Sequence, residues 1–151
     1  MNQTLKNLLI FGGLFWVFNR MGKGGVDAAI QSTFRANGFD ANNAKWWAAV
    51  SRFETANYTS ELATKYNNFF GMTSPGQTGV NQGKAATTNF LKYASPQDSI
   101  NDAVQWALMN NMSKNYKTLA SMVYDMSAHH YFTEDVNQYF LGVQADLAKV
   151  S

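Results

Sequence analysis

The chain has 151 residues, 46% of them hydrophobic, 15% charged and 15% aromatic, with two prolines and no cysteine; this fits one folded domain with its own core and excludes general disorder, disulfide frameworks, zinc ribbons, iron–sulfur ligation and thiol nucleophiles. The formal charge of +2 is uneven: residues 1–25 hold Lys6, Arg20 and Lys23 with no acid, leaving nine bases against ten acids in the rest. Those nine bases are scattered, with no run able to neutralise successive phosphates, so nucleic acid is excluded as a partner.

In chain order, the first feature is the apolar run Leu8 to Phe18 (LLIFGGLFWVF), with Lys6 before it and Arg20 and Lys23 after it. As a helix it spans about 16 Å, against roughly 30 Å of bilayer hydrocarbon, so crossing requires the whole of residues 1–21 with Lys6 and Arg20 snorkelling outward. The expected reading is a membrane anchor in contact with lipid through residues 5–21. A cleaved signal peptide and an apolar first helix packed on the domain are the alternatives, and no small-x-small cleavage site follows Phe18. Gly22, Gly24 and Gly25 read as a short tether, which makes residues 1–25 anchor and tether and residues 26–151 the domain.

From Val26 onward the pattern is helical. Val26, Ile30 and Phe34 recur at four-residue spacing before Gly38, which predicts a first helix. Asp40 is the expected N-cap of a second, running to Glu54 with Trp46, Val50 and Phe53 as its apolar stripe. Ser60 to Lys65 reads as a short helical piece. Ser95-Pro96-Gln97-Asp98 combines a cap, a proline at the first helical position and an acid in the first turn, ahead of Ile100, Ala103, Val104, Ala107 and Leu108. A further helix carries Leu119, Met122, Val123 and Met126, and a last one opens at Thr133 with Val136, Phe140, Val143, Leu147 and Val150 inward. Between them, residues 72–89 are rich in Gly, Ser, Thr, Asn and Gln and read as loop or small hairpin. The expected fold class is mainly α, about six helices with one irregular or β-like insertion.

Glu54 stands out. It shares a helix face with Trp47 and Val50, and a carboxyl on an apolar face at a helix C-terminus is hard to ionise. A carboxylic acid that stays protonated near neutral pH is what a general acid for glycosidic cleavage requires. The alternative for this residue alone is a helix-terminal glutamate paired with Arg52 or Lys65.

Four ordered blocks frame that glutamate: Phe53-Glu54-Thr55-Ala56; Ser60-Glu61-Leu62-Ala63 with Asn67-Asn68-Phe69-Phe70-Gly71-Met72; Phe90 to Asp102; and Tyr131-Phe132-Thr133-Glu134-Asp135 with Tyr139 and Val143. Together they resemble the glucosaminidase family of peptidoglycan hydrolases, glycoside hydrolase family 73 in the lysozyme-like superfamily. The resemblance implies a lysozyme-like helical domain that cleaves the β-1,4 bond between N-acetylglucosamine and N-acetylmuramic acid. It implies Glu54 as general acid and Tyr131 as the tyrosine lining the site and positioning the acetamido group or the water. Asn68, Phe69 and Gly71 are then expected to shape the groove floor, and Tyr58, Tyr93 and Trp106 to contact the glycan.

Many members of that family carry a second carboxylate in the β-like lobe, whereas residues 72–89 contain no Asp or Glu. Glu61, Asp98 and Asp102 are simpler as helix-surface or capping residues. Catalysis by a single glutamate is therefore expected, either hydrolytic with the substrate's acetamido group as nucleophile or lytic transglycosylase-like with the muramoyl 6-hydroxyl. No cofactor is called for, and adjacent His129 and His130 diverge by about 100° on a helix, which does not suit a shared metal. Anchor and wall-cutting domain together suggest a bacterial envelope protein or a lytic component of a membrane-containing phage virion. A non-catalytic, membrane-tethered wall-binding or structural module on the same fold is the competing reading.

Overall fold

The computed structural model describes residues 22–151. The apolar run and the expected membrane anchor over residues 5–21 lie outside the described residues. Among those described, no helix is long and apolar enough to cross a membrane.

Six helices appear in the described residues: α1 (Lys23–Ala36), α2 (Ala41–Glu54), α3 (Glu61–Thr64), α4 (Pro96–Met109), α5 (Leu119–Ala128) and α6 (Val136–Leu147). Helix α2 is central, with α1 and α6 packed along it, α4 against α1 and α5 against α6. The close approach of α6 depends on Gly142, where a Cβ would fall 2.2 Å from the Phe53 ring.

The start and stop chemistry explains most boundaries. Asp40 accepts a hydrogen bond from the Asn43 amide at 2.8 Å and begins α2. Ser95 and Asp98 form a capping box ahead of Pro96, so two of the orphan amides that open α4 are satisfied. Two expectations shift. Gly24 and Gly25 are not a tether but the first turn of α1, because Val26 and Asp27 are already buried and draw that turn into the domain. Helix α6 opens at Val136, not Thr133, because Asp135 caps it by accepting from the Asn137 and Gln138 amides.

The core centres on Trp47, fully buried, stacked on Phe34 at 4.9 Å and met edge-on by Phe70, Trp106 and Tyr131. The inward face of α2 therefore runs through Trp47, Val50 and Ser51, while Trp46 and Phe53, expected on the stripe, are only half-buried. On α6 the most buried residues are Tyr139 and Val143, with Val136, Phe140 and Leu147 packed at the margin. Residues 72–89 carry no strand. Two isolated antiparallel bridges, Thr73 with Phe90 and Lys84 with Leu91, hold this insertion as a loop folded beside the end of α2.

Candidate active site

Glu54 is the last residue of α2 and is half-buried. Its Oε1 accepts a hydrogen bond from the Tyr139 hydroxyl at 2.5 Å. Its Oε2 lies 2.9 Å from the point where a Cβ on Gly71 would stand, so only a residue without a side chain leaves room for the carboxyl there. Among the described residues no cation is paired with it: Arg52 is bound to Asp27 and Lys65 to Glu61. Burial pushes the pKa from an ordinary 4.5 up to about 7, the Tyr139 hydrogen bond opposes this, and the charge of Glu134 adds to it.

Tyr139 is 1% exposed, with Phe132 stacked on its ring at 3.6 Å and Phe53 edge-on at 5.0 Å. Burial and the neighbouring Glu54 charge push its hydroxyl well above the ordinary tyrosine range, so it stays a neutral donor. The sequence placed it in the fourth block and among the rings suited to a sugar groove, but not as the partner of Glu54. The available signal was its place four residues before Val143 on the inward face of α6.

A cleft of about 130 Å³ is lined by Phe70, Gly71, Met72, Thr73, Gln77, Trp106, His130 and Tyr131; Glu54 is not part of its lining and reaches it through Gly71, which its Oε2 approaches. The Tyr131 ring packs edge-on against Trp106 at 4.7 Å, and its hydroxyl donates to the Phe70 carbonyl at 3.0 Å. Three of the expected site residues other than Glu54, namely Tyr131, Gly71 and Trp106, thus share this cleft. His130, set aside in the sequence as half of an unsuitable metal pair, lines it as well.

The other four expected contacts are turned inward. Tyr58 is 9% exposed, packed on Phe69, and its hydroxyl donates to Asp27 at 2.7 Å. The cause is local: Ala56, Asn57 and Tyr58 have φ of 48°, 60° and 66°, a left-handed turn that reverses the chain after Glu54 and folds Tyr58 back under α2. Asn68 is fully buried. Its amide donates to the Met72 and Leu91 carbonyls and its oxygen accepts from the Met72 amide, so it braces the backbone around Gly71 instead of facing a ligand. Phe69 is buried in the core, its amide donating to Ser99 Oγ and its carbonyl accepting from Ser51 Oγ. Tyr93 is 2% exposed and donates to Asp102 at 2.7 Å.

The acids weighed as second carboxylates are also engaged elsewhere. Asp102 is buried and accepts from the Gln77 and Thr78 amides, pinning the insertion to α4. Asp98 closes the capping box and Glu61 pairs with Lys65. Glu134, not weighed in the sequence as a second carboxylate, is the one whose charge reaches Glu54.

Residues 36–141 match the glucosaminidase family, described as mannosyl-glycoprotein endo-beta-N-acetylglucosaminidase. The chain belongs to this family. The matched segment takes in Glu54, the cleft and Tyr139, and the glucosaminidase is accordingly a glycosidase acting on peptidoglycan. Comparison with the curated proteins and with the solved structures gives no match.

Proposed function

We propose that Glu54 is the general acid of a lysozyme-like glucosaminidase that cuts the β-1,4 bond from N-acetylglucosamine to N-acetylmuramic acid. The observation that carries this reading is a carboxyl packed against Gly71 of the cleft, with one neutral donor, no paired cation among the described residues, and a pKa raised to about 7 by burial. Such a group still carries its proton where most carboxyls have lost theirs. In the proposed step the proton passes to the bridging oxygen as the bond from C1 to that oxygen breaks. The acetamido oxygen of the N-acetylglucosamine forms the new bond to C1. Water then opens that ring, giving its proton to the Glu54 carboxylate and leaving a reducing sugar, so no acid is needed within residues 72–89. Trp106 and Tyr131 offer ring surface to the sugars. Residues 5–21 would hold the enzyme at a membrane facing the wall, as a lytic component of a phage virion.

The test is Glu54→Gln assayed on purified peptidoglycan. Clearing should fall by about 10²–10⁴-fold, the usual contribution of a general acid, while co-sedimentation with the wall persists. Full activity in that variant overturns the assignment. Mass spectrometry of the wild-type products should show reducing ends, and anhydro ends would assign the nucleophile to the 6-hydroxyl instead.

A further inference from the structure

One polar side chain of the cleft has no part in the step described above. His130 lines the cleft together with Gly71, Trp106 and Tyr131, and it is exposed at the end of α5. The two histidines of the chain stand side by side there but are engaged differently. His129 Nδ1 lies 2.9 Å from the Asp125 carbonyl and 3.4 Å from its carboxylate, so that ring is spent on closing the helix. Neither contact involves His130, whose ring has no hydrogen-bond or ion-pair partner among the described residues.

The backbone holds that free ring at the cleft against local preference. His130 has a φ of 56°, in the left-handed region that glycine enters freely and other residues disfavour. The turn is fixed on both sides: the His130 amide donates to the Ser127 carbonyl and the Tyr131 amide to the Met126 carbonyl, each at 3.0 Å. Tyr131 is anchored further by Trp106 and the Phe70 carbonyl. Glycine would close this turn at lower cost, so helix termination gives no reason for an imidazole here. A side chain kept in a disfavoured conformation within a site points to a role in binding.

The substrate carries a group that such a ring can bind. In the proposed step the bridging oxygen that takes the Glu54 proton is O4 of N-acetylmuramic acid. The adjacent carbon, C3, bears the lactyl ether, whose carbonyl is amide-linked to the stem peptide. A sugar seated with O4 at Glu54 therefore brings the lactyl carbonyl close to that carboxyl. Glu54 meets the cleft at Gly71, and Gly71 shares the cleft with His130. The Tyr131 hydroxyl is already given to Phe70, whereas an imidazole offers an N–H donor in either protonation state and a carbonyl accepts it.

We infer that His130 is a specificity-determining residue: its ring donates to the lactyl carbonyl and so selects N-acetylmuramic acid over N-acetylglucosamine on the leaving side of the scissile bond. The inference rests on the proposed step for the position of O4. Full-length E54Q in detergent micelles is titrated with a tetrasaccharide of alternating N-acetylglucosamine and peptide-bearing N-acetylmuramic acid, and separately with tetra-N-acetylglucosamine. NMR follows the ring protons of the two histidines. The His130 signal should move with the muramoyl ligand and stay in place with tetra-N-acetylglucosamine, while His129 is unmoved by both. Equal movement with both ligands, or none with either, overturns the inference, as does movement caused by free stem peptide alone. Calorimetry supplies the second readout. His130→Ala in the E54Q background should lower the ratio of the two affinities, muramoyl over tetra-N-acetylglucosamine, by about fivefold, the worth of one hydrogen bond. His130→Gly should lower it equally with a melting temperature no lower than that of E54Q, an outcome that a purely structural role does not give. An unaltered ratio contradicts the assignment. Binding needs no proton transfer, so the affinity ratio decides His130 and the clearing assay of E54Q decides Glu54.

Discussion

Arg52 and Glu54 stand two residues apart at the end of α2, and their surroundings could hardly differ more. Arg52 donates through Nε and Nη2 to Asp27, at 2.9 and 2.5 Å, and through Nη1 to Asn57. Asp27 is fully buried and also accepts from Tyr58 and from the amide and hydroxyl of Ser151. That cluster is a fully partnered ion pair joining α1, α2, the left-handed turn and the end of the chain. Among the described residues, Glu54 receives one hydrogen bond, from Tyr139, and no counter-charge. The difference teaches how one helix end serves two purposes. Where every lone pair is matched, a buried carboxylate fixes the backbone; where partners are withheld, burial turns a carboxyl into a proton donor.

The comparison breaks most severely at Asp27. Asp27→Ala leaves Arg52 buried without its partner and releases the turn at residues 56–58, so it should destabilise by about 3–5 kcal/mol; thermal unfolding measures this, and a melting temperature near wild type would show that the pair is not what holds the turn. A smaller effect is expected at Tyr139→Phe. Loss of that hydrogen bond should cost about 1 kcal/mol and remove the contact that favours ionised Glu54. Activity in the wild type should fall as pH rises through about 7, when Glu54 loses its proton, and in Y139F this alkaline limb should move to higher pH. A shift to lower pH would mean that the hydroxyl does not act on Glu54. The smallest effect belongs to Glu134→Gln. Removing a nearby negative charge eases ionisation, so the limb should move slightly to lower pH, with the melting temperature nearly unchanged because Glu134 is exposed; an unmoved limb would place its charge out of reach.

Much of this was legible in the residues. Helix caps are local, so Asp40, Ser95 and Pro96 declared themselves, and Glu54 could be chosen from the apolar face it shares with Trp47 and the blocks around it. What stayed hidden depends on long-range contact. Tyr58 follows Glu54 closely and looked like a groove residue, yet its direction is set by three left-handed residues and by Asp27, 31 positions earlier. Asn68 was expected to shape the groove floor; the sequence could not show that it does this from within, as a buried amide bracing the backbone around Gly71. Tyr139 lies 85 positions from Glu54, and nothing short of the packing of α6 on α2 brings its hydroxyl there.

The central claim is that Glu54 keeps its proton close to neutral pH. Titration of its side-chain carboxyl by carbon-13 NMR, assigned by comparison with E54Q, tests this most directly. The account predicts a midpoint near 7, displaced upward by burial; a midpoint at the ordinary 4.5 would leave the enzyme without the acid its chemistry requires.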